Sequence, residues 1–194
     1  NYNSSSALQN CLESIYKTIH DLDFEVIVVD NSEDDPGMQA LKTSFSQVQY
    51  IFNHCNVGFS KANNQAAKIA QGDHLIFINP DTILTGQAIN SMQSYFCSNL
   101  KAGALGPKVL NPDGSLQYSC RRYPTLWTGL FNRYSILSRL FPKNPFTSQY
   151  LMLDFDHNEI LPVDWLSGCC LMVRKKVFEE IGGFDENYFL FNED

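Results

Sequence analysis

Leu75-Ile76-Phe77-Ile78 is a run of four apolar residues, three of them β-branched or aromatic, that stops at Asn79-Pro80-Asp81-Thr82. Such a run predicts a buried strand. Proline has no amide hydrogen to give to a ladder, so pairing ends at Pro80 and the chain must turn. Asp81 is thereby delivered at the carboxyl end of a strand, where open α/β sheets bind their ligands. The same position also suits a carboxylate that only caps the segment after it.

The chain before that strand alternates between two periods. Ser4 to Ser6 offer a helix cap, and Leu8, Leu12, Ile15 and Ile19 follow at helical spacing. Phe24 to Val29 is a β run that ends at Asp30-Asn31-Ser32. After the Pro36-Gly37 break a short helix is expected through Leu41 to Phe45, then a strand from Val48 to Phe52. Ser60 can cap a helix carrying Ala62, Ala66 and Ile69, closed by Gly72. Strands and helices at these spacings predict βα units, hence an α/β fold with a mostly parallel sheet flanked by helices. Polar loops gather at the strands' carboxyl ends. No G-x-G-x-x-G and no G-x-x-x-x-G-K-[ST] is present, which argues against a dinucleotide dehydrogenase or a P-loop enzyme.

Composition narrows the partners. A formal charge of -7 gives no reason to expect nucleic acid. No apolar run is long enough to span a bilayer, and the polar amino end does not resemble a signal peptide. The six cysteines lack C-x-x-C spacing and read as reduced thiols of a cytoplasmic protein.

The second half begins with a helix carrying Ala88, Ile89, Met92, Tyr95 and Phe96. A strand from Gly103 to Leu110 then turns at Asn111-Pro112-Asp113-Gly114 into Ser115 to Ser119. From Lys101 to Tyr150 there are seven Lys and Arg residues against Asp113 as the lone acid. Within this span Leu126 to Phe141 has aromatic and aliphatic residues at helical spacing. A basic, aromatic amphipathic helix suits peripheral contact with an anionic membrane face or a phosphorylated lipid; it also suits plain packing on the sheet with a solvated basic face. Trp165 to Val173 reads as a strand, Arg174 to Ile181 as a helix, and Gly182-Gly183 as its end. The chain then runs through aromatic residues to Glu193-Asp194.

Taken in order, "NYNSS", "VIVVDNS", "NVGFSKANNQA", "FINPD" and "WLSGCCLMVRKKVFEEIGGFDENYFLFNED" resemble the family-2 inverting glycosyltransferases, their rhamnosyltransferase-like branch in particular. The resemblance covers nearly the whole chain. It implies a GT-A fold, a nucleotide-diphospho-sugar donor (dTDP-rhamnose as leading candidate), a Mg²⁺ or Mn²⁺ ion and a glycan or lipid-linked glycan acceptor. It further implies one catalytic domain, with residues 1–100 as the nucleotide-sugar-binding half and 101–194 as the acceptor-binding half. A fragment cut at both ends is expected, because relatives have a strand before "NYN" and a further segment after "ED".

The resemblance also assigns roles. Asp81 matches the metal-ligating aspartate, with Asn79 at the position that is acidic in the family's D-x-D. Asp30, Tyr2 and Asn3 fall on the nucleotide pocket. Asn56, Gly58, Asn63 and Asn64 match a segment that shapes the donor site. Asp194, with Glu193 beside it, stands where the family places the base that takes the acceptor proton. Trp165, Ser167 and Gly168 would form an acceptor wall, with Asp185 and Glu186 in the same region. Each residue also has a plain reading. Asp30, Asn63 and Asn64 can satisfy local backbone groups, Gly58 can serve a turn, Trp165 can fill core, and Asp194 can be a solvated chain end. The alternatives in function are a non-catalytic nucleotide-sugar or glycan-binding module and a sugar nucleotidyltransferase. The latter carries a glycine-rich basic loop near its start, which "NYNSSSALQ" does not supply.

Overall fold

The helices and strands before Pro80 form in the expected order: α1 (Ser5–Thr18), β1 (Ile27–Asp30), α2 (Gly37–Ser44), β2 (Gln49–Phe52), α3 (Phe59–Ile69) and β3 (His74–Ile78). They belong to a computed structural model that describes residues 1–130 and 144–189. Then come α4 (Ala88–Ser98), β4 (Ala104–Leu105), β5 (Val109–Leu110), β6 (Leu116–Gln117), β7 (Cys120–Arg121), α5 (Leu126–Leu130) and α6 (Pro145–Tyr150). The last elements are β8 (Trp165–Leu166), β9 (Cys170–Arg174) and α7 (Lys175–Glu180).

Two compact units result, residues 1–105 with 168–194 and residues 106–167. The chain leaves the first unit after Leu105 and returns to it at Gly168. The strand expected from Gly103 to Leu110 is accordingly two, split at Gly106-Pro107, where proline cannot pair. The run from Trp165 to Val173 is likewise divided into β8 and β9, one in each unit.

In the first unit β1 and β2 pair in parallel, as the βα spacing predicts. The expectation of a mostly parallel sheet is corrected at β9, which lies antiparallel between β3 and β4. Ile78 pairs with Cys170 and His74 with Arg174. A strand that comes back from a separate unit is not bound by the crossover rule that makes successive βα units parallel.

The two faces of β3 are buried differently. Ile76 and Ile78 pack against a core built from Leu8, Leu12 and Ile15 of α1, Met38 and Leu41 of α2, and Ile89, Met92 and Phe96 of α4. On the other face Phe77 meets Phe178 and Phe184, with ring centroids 5.0 and 4.8 Å away, and Phe59 of α3 lies 5.8 Å from Phe184. The turn after α7 is thus anchored against α3 by aromatic contact.

Polar ends are closed by residues distant in sequence. Ser4 does not cap α1; its hydroxyl donates to Asn1 Oδ1. The first-turn amide of Ser5 donates instead to Asp35 Oδ2 at 3.1 Å, while Gly37 N donates to Asp35 Oδ1. Burial pushes the Asp35 carboxyl up, but hydrogen bonds from Ser5, Asn1 and Gly37 outweigh it and leave the group below its ordinary value. The carboxyl end of α4 is closed by Arg174, whose guanidinium donates to the carbonyls of Phe96 (2.7 Å), Asn99 (3.2 Å) and Ala102 (2.8 Å). It also lies 4.5 Å over the Phe96 ring. A cation at a helix carboxyl terminus is favoured by the dipole as well as by these bonds.

Two outcomes follow from these caps. Arg174→Lys keeps the charge but loses the fork, and urea titration should show a loss of about 2–3 kcal/mol. Because Asp35 is depressed in the folded state, its contribution is present above the unfolded carboxylate value and is lost as pH falls through the folded one. Thermal midpoints taken from neutral pH down past the ordinary 3.8 should therefore fall more steeply for the wild type than for Asp35→Asn, which starts lower and carries no such titration.

Candidate active site

Asn79 to Thr82 is a turn in which Thr82 N donates to Asn79 O at 3.0 Å, with Pro80 at the second position and Asp81 at the third. Proline sets the backbone angle that this second position needs. The turn is held from the other side by β9: Asn79 N donates to Cys169 O at 3.0 Å and Thr82 Oγ1 to the same carbonyl at 3.2 Å. Asp81 stands exposed at the tip. It accepts no bond from the segment it precedes, so among the described contacts it is not acting as a cap.

Behind Asp81 the surroundings are neutral. Burial raises the Cys11 thiol to about 11, and the Asp81 carboxylate adds to the effect. Burial pushes Cys170 up to about 12, with Cys169 and Cys11 contributing. Both therefore stay protonated and are poor metal ligands near neutral pH. Among the described residues no group of three or more His, Cys, Asp or Glu could enclose a metal. An exposed carboxylate of this kind fits a hard cation that takes its other ligands from water and a substrate's phosphates.

Asp30 ends β1 and is 4% exposed. Its Oδ1 accepts from Ser32 Oγ (2.7 Å), Ser32 N (3.2 Å) and Asn1 Nδ2 (2.9 Å). It thus shapes its own loop, the plain role open to it from sequence. Asn3 has a left-handed backbone, with φ of 49°, and its amide donates to Ser32 Oγ; Tyr2 is exposed beside it. Tyr2, Asn3 and Asp30 are brought to one loop cluster.

Over the segment from Asn56 to Asn64 the side chains bond within the chain. Asn56 Oδ1 accepts from Gly58 N at 3.0 Å, and Asn63 Nδ2 donates one turn back to Phe59 O. Gly58 has φ of 90°, and a Cβ there would lie 3.0 Å from the carbonyl of Phe189. The close approach is thus made by the protein's own backbone. Ser60 does not cap α3; Gly58 stands at that position and Ser60 Oγ donates to Tyr188 O. Asn64 is buried with its amide on Phe184 and Glu186.

Asn31 is a residue that motif reading passes over. Its Nδ2 donates to Gly58 O at 3.2 Å and its Oδ1 accepts from Asn53 Nδ2 at 2.8 Å, which ties the loops after β1 and β2 to α3. Its burial at 7% exposure for an asparagine in a polar loop is the telling feature, and no local pattern reveals it.

Asp185 Oδ1 accepts from the amide and side chain of Asn187, an Asx-type turn. A recess of about 400 Å³ lies beside it, lined by Asn64, Ile181 to Glu186 and their backbone. Gly168 belongs to the first unit, next to Cys169. Trp165 and Ser167 belong to the second. There Ser167 N donates to Ser119 O at 2.7 Å, and the Trp165 ring lies 4.8 Å from the guanidinium of Arg121, which also meets Tyr150. Glu193 and Asp194 lie outside the described residues, as do residues 131–143 of the expected basic helix. The described start of that helix, Leu126 to Leu130, leaves Leu126 and Leu130 exposed.

Comparison with known proteins agrees with this architecture. The model of the family "Glycosyl transferase family 2" matches residues 1–182. An "N-acetylglucosaminyl-diphospho-decaprenol L-rhamnosyltransferase" of Mycobacterium tuberculosis is 33% identical over 180 residues, 87% of this chain and 58% of the relative. "Rhamnosyltransferase WbbL" of Escherichia coli is 26% identical over 88% of this chain and 63% of its own length. The chain therefore spans about three-fifths of the length of these two relatives. Among solved structures, a mannosyltransferase of Pyrobaculum calidifontis in complex with GDP-Man and Mn²⁺ superposes with a TM-score of 0.59 at 17% identity, covering 96% of this chain and 46% of that one. The fold is GT-A, and the chain belongs to glycosyl transferase family 2.

Proposed function

We propose that this chain catalyses inverting transfer of a sugar, with rhamnose first among candidates, from a nucleotide-diphospho-sugar to a hydroxyl of a lipid-linked glycan in bacterial surface-polysaccharide synthesis. The observation that carries this is Asp81, exposed at the tip of a turn that β3 and the Cys169 carbonyl together hold rigid, in a family-2 chain whose relatives are named as rhamnosyltransferases.

In this scheme the acceptor oxygen attacks the anomeric carbon from the side opposite the nucleoside diphosphate. The carbon–oxygen bond to the diphosphate breaks as the new glycosidic bond forms. Asp194, with Glu193 adjacent, takes the proton from the attacking hydroxyl, a role that contributes on the order of 10²–10⁴-fold. Asp81 would hold a Mg²⁺ or Mn²⁺ ion, which when bound supplies positive charge to the departing diphosphate. Tyr2, Asn3 and Asp30 form the nucleotide side, with the Asp30–Ser32 contacts fixing the loop. Asp185 and Glu186 flank the recess after α7, where an acceptor sugar would find carboxylate acceptors for its hydroxyls. Trp165 and Arg121 offer a flat aromatic-cationic surface in the second unit.

The location proposed is cytoplasmic, peripheral on the inner face of the membrane. Among the described residues no helix is long and apolar enough to cross a bilayer. The exposed Tyr123, Leu126 and Leu130 next to Arg121-Arg122 suit shallow contact with an anionic surface through Leu126 to Phe141.

Asp81→Asn should leave the turn intact, since neither Pro80 nor the Asn79–Thr82 bond is touched, and hold the thermal midpoint within about 2 °C. Release of dTDP from dTDP-rhamnose in the presence of Mn²⁺ and a GlcNAc-diphospho-lipid should fall about a hundredfold. Unimpaired turnover in this variant, or no thermal stabilisation of the wild type by any nucleoside diphosphate with Mn²⁺, would overturn the proposal. For the membrane contact, cosedimentation with vesicles rich in anionic lipid should exceed that with zwitterionic vesicles. The Arg122→Glu variant should weaken it about fivefold or more, from roughly 1 kcal/mol for the basic side chain removed and added repulsion.

A further inference from the structure

Arg121 is held by two aromatic rings and by no anion. It stands on β7 directly across from Trp165 on β8, and its guanidinium lies 4.8 Å from the Trp165 ring and 5.7 Å from that of Tyr150. The backbone beside it is fixed as well, since Arg122 N donates to Tyr150 O at 3.0 Å and Cys120 pairs with Leu166. Nε is buried without a partner, and among the described residues no hydrogen bond or ion pair reaches the rest of the guanidinium. The residue is part-exposed, so the Nη edge is what a ligand can meet. Asp164, next to Trp165 in the chain, is engaged elsewhere: its Oδ2 accepts from Tyr123 N at 3.0 Å. Residues 106–167 carry six Lys and Arg against five acids, although the whole chain stands at -7. An anion is therefore repelled less by this unit than by the rest of the chain. Stacking uses the flat faces of a guanidinium and leaves its in-plane N–H groups to donate. Those donors match two oxygens of a phosphate.

We propose that Arg121, steadied by Trp165 and Tyr150, is a phosphate-binding site that takes the diphosphate of a lipid-linked acceptor. The proposal deepens the transferase reading above and rests on it. Such a reaction involves two diphosphates. One leaves with the nucleotide and is assigned to Asp81 and its cation. The other joins the acceptor sugar to its lipid, and Arg121 is the group that receives it. A guanidinium is less strongly hydrated than an ammonium, so turning it toward a phosphate costs less solvation. Tyr123 and Leu126, exposed just after it, suit the lipid that such a phosphate carries. The headgroup of an anionic phospholipid offers the same oxygens, and the test separates the two sources.

The test sets two compounds against each other in detergent free of phospholipid, with dTDP-rhamnose and Mn²⁺ present. One is a GlcNAc-diphospho-lipid, the acceptor. The other joins the same lipid to GlcNAc without the diphosphate and is read as a competitive inhibitor. In the wild type the KM of the first should lie about tenfold or more below the inhibition constant of the second. Arg121→Met keeps an apolar stem against the rings and removes the charge. It should raise that KM about tenfold and leave the inhibition constant within about twofold, so that the two converge. Arg121→Lys keeps the charge without the fork and should raise the KM about threefold. Partial unfolding lowers kcat but moves neither constant, so a merely structural role for Arg121 would not close the gap. Should Arg121→Met not fold, Arg121→Lys carries the same comparison. Affinity for dTDP with Mn²⁺ should stay within about twofold in both variants. An unchanged ratio, or equal weakening of both compounds, would overturn the proposal. An effect seen only when anionic vesicles are added would overturn it too, and would assign the arginine to a phospholipid headgroup. If the wild type transfers no sugar to the GlcNAc-diphospho-lipid, the transferase reading falls and the proposal with it. Transfer with an unchanged ratio rejects the Arg121 site alone.

Discussion

The carbonyl of Cys169 receives both the Asn79 amide and the Thr82 hydroxyl, and the geometry around Asp81 depends on that one acceptor. It is available only because β9 lies antiparallel against β3, with Cys170 opposite Ile78. Contacts between residues about ninety positions apart cost loop-closure entropy that a local hairpin avoids. Several interactions offset it. β9 pairs on both edges, with β3 and with β4, and Arg174 at its end closes α4. Met172 and Cys170 are both 2% exposed and lie in the same core as α1 and α4. The strand that completes the core is therefore also the strand that fixes the candidate site, and the two functions cannot be altered separately.

What could be read from the sequence is what short-range chemistry determines. Leu8, Leu12 and Ile15 recur at helical spacing and are all buried. Pro80 removes a ladder donor, so the strand ends there in a turn that carries Asp81, and the Asn111 to Gly114 turn likewise forms between β5 and β6. What could not be read depends on partners across the fold. Asp35 closes α1 from thirty residues away, although three serines stood locally available for the task. The helix expected to be capped by Ser60 is begun by Gly58, and Ser60 is engaged by Tyr188. Asn63 and Asn64 look alike in sequence, yet one bonds a carbonyl on its own helix and the other holds a turn 120 residues on. Burial separates them, and burial of a single polar residue is a tertiary property. The antiparallel sense of β9 is of the same kind, since periodicity reports that a strand is buried but not which way it runs.

Asp30 shows how a plain structural role and a functional one can coincide. Its Oδ1 organises Ser32, and Ser32 Oγ in turn receives the amide of Asn3, whose left-handed backbone needs such support. A carboxylate that fixes the loop shape also fixes which groups the loop presents. Local satisfaction of Asp30 therefore does not compete with the nucleotide-side role proposed for it.

The charge arrangement near Asp81 bears on how a cation and a donor would arrive. A hard divalent ion gives up water reluctantly and needs several oxygen ligands before binding is favourable. One exposed carboxylate does not provide them, and the nearby thiols of Cys11 and Cys170, kept protonated by burial, add none. Asn79, which carries no charge, contributes its backbone to the turn. On the proposed reading the diphosphate completes the coordination, so cation and donor favour each other's binding by the same factor. An acid at position 79 would raise affinity for the free ion, but it would also add negative charge beside a group that must leave as a dianion or trianion. A single carboxylate keeps the field at the diphosphate more positive. On that reading the neutral backing of the turn matters to the proposed chemistry as much as Asp81 does.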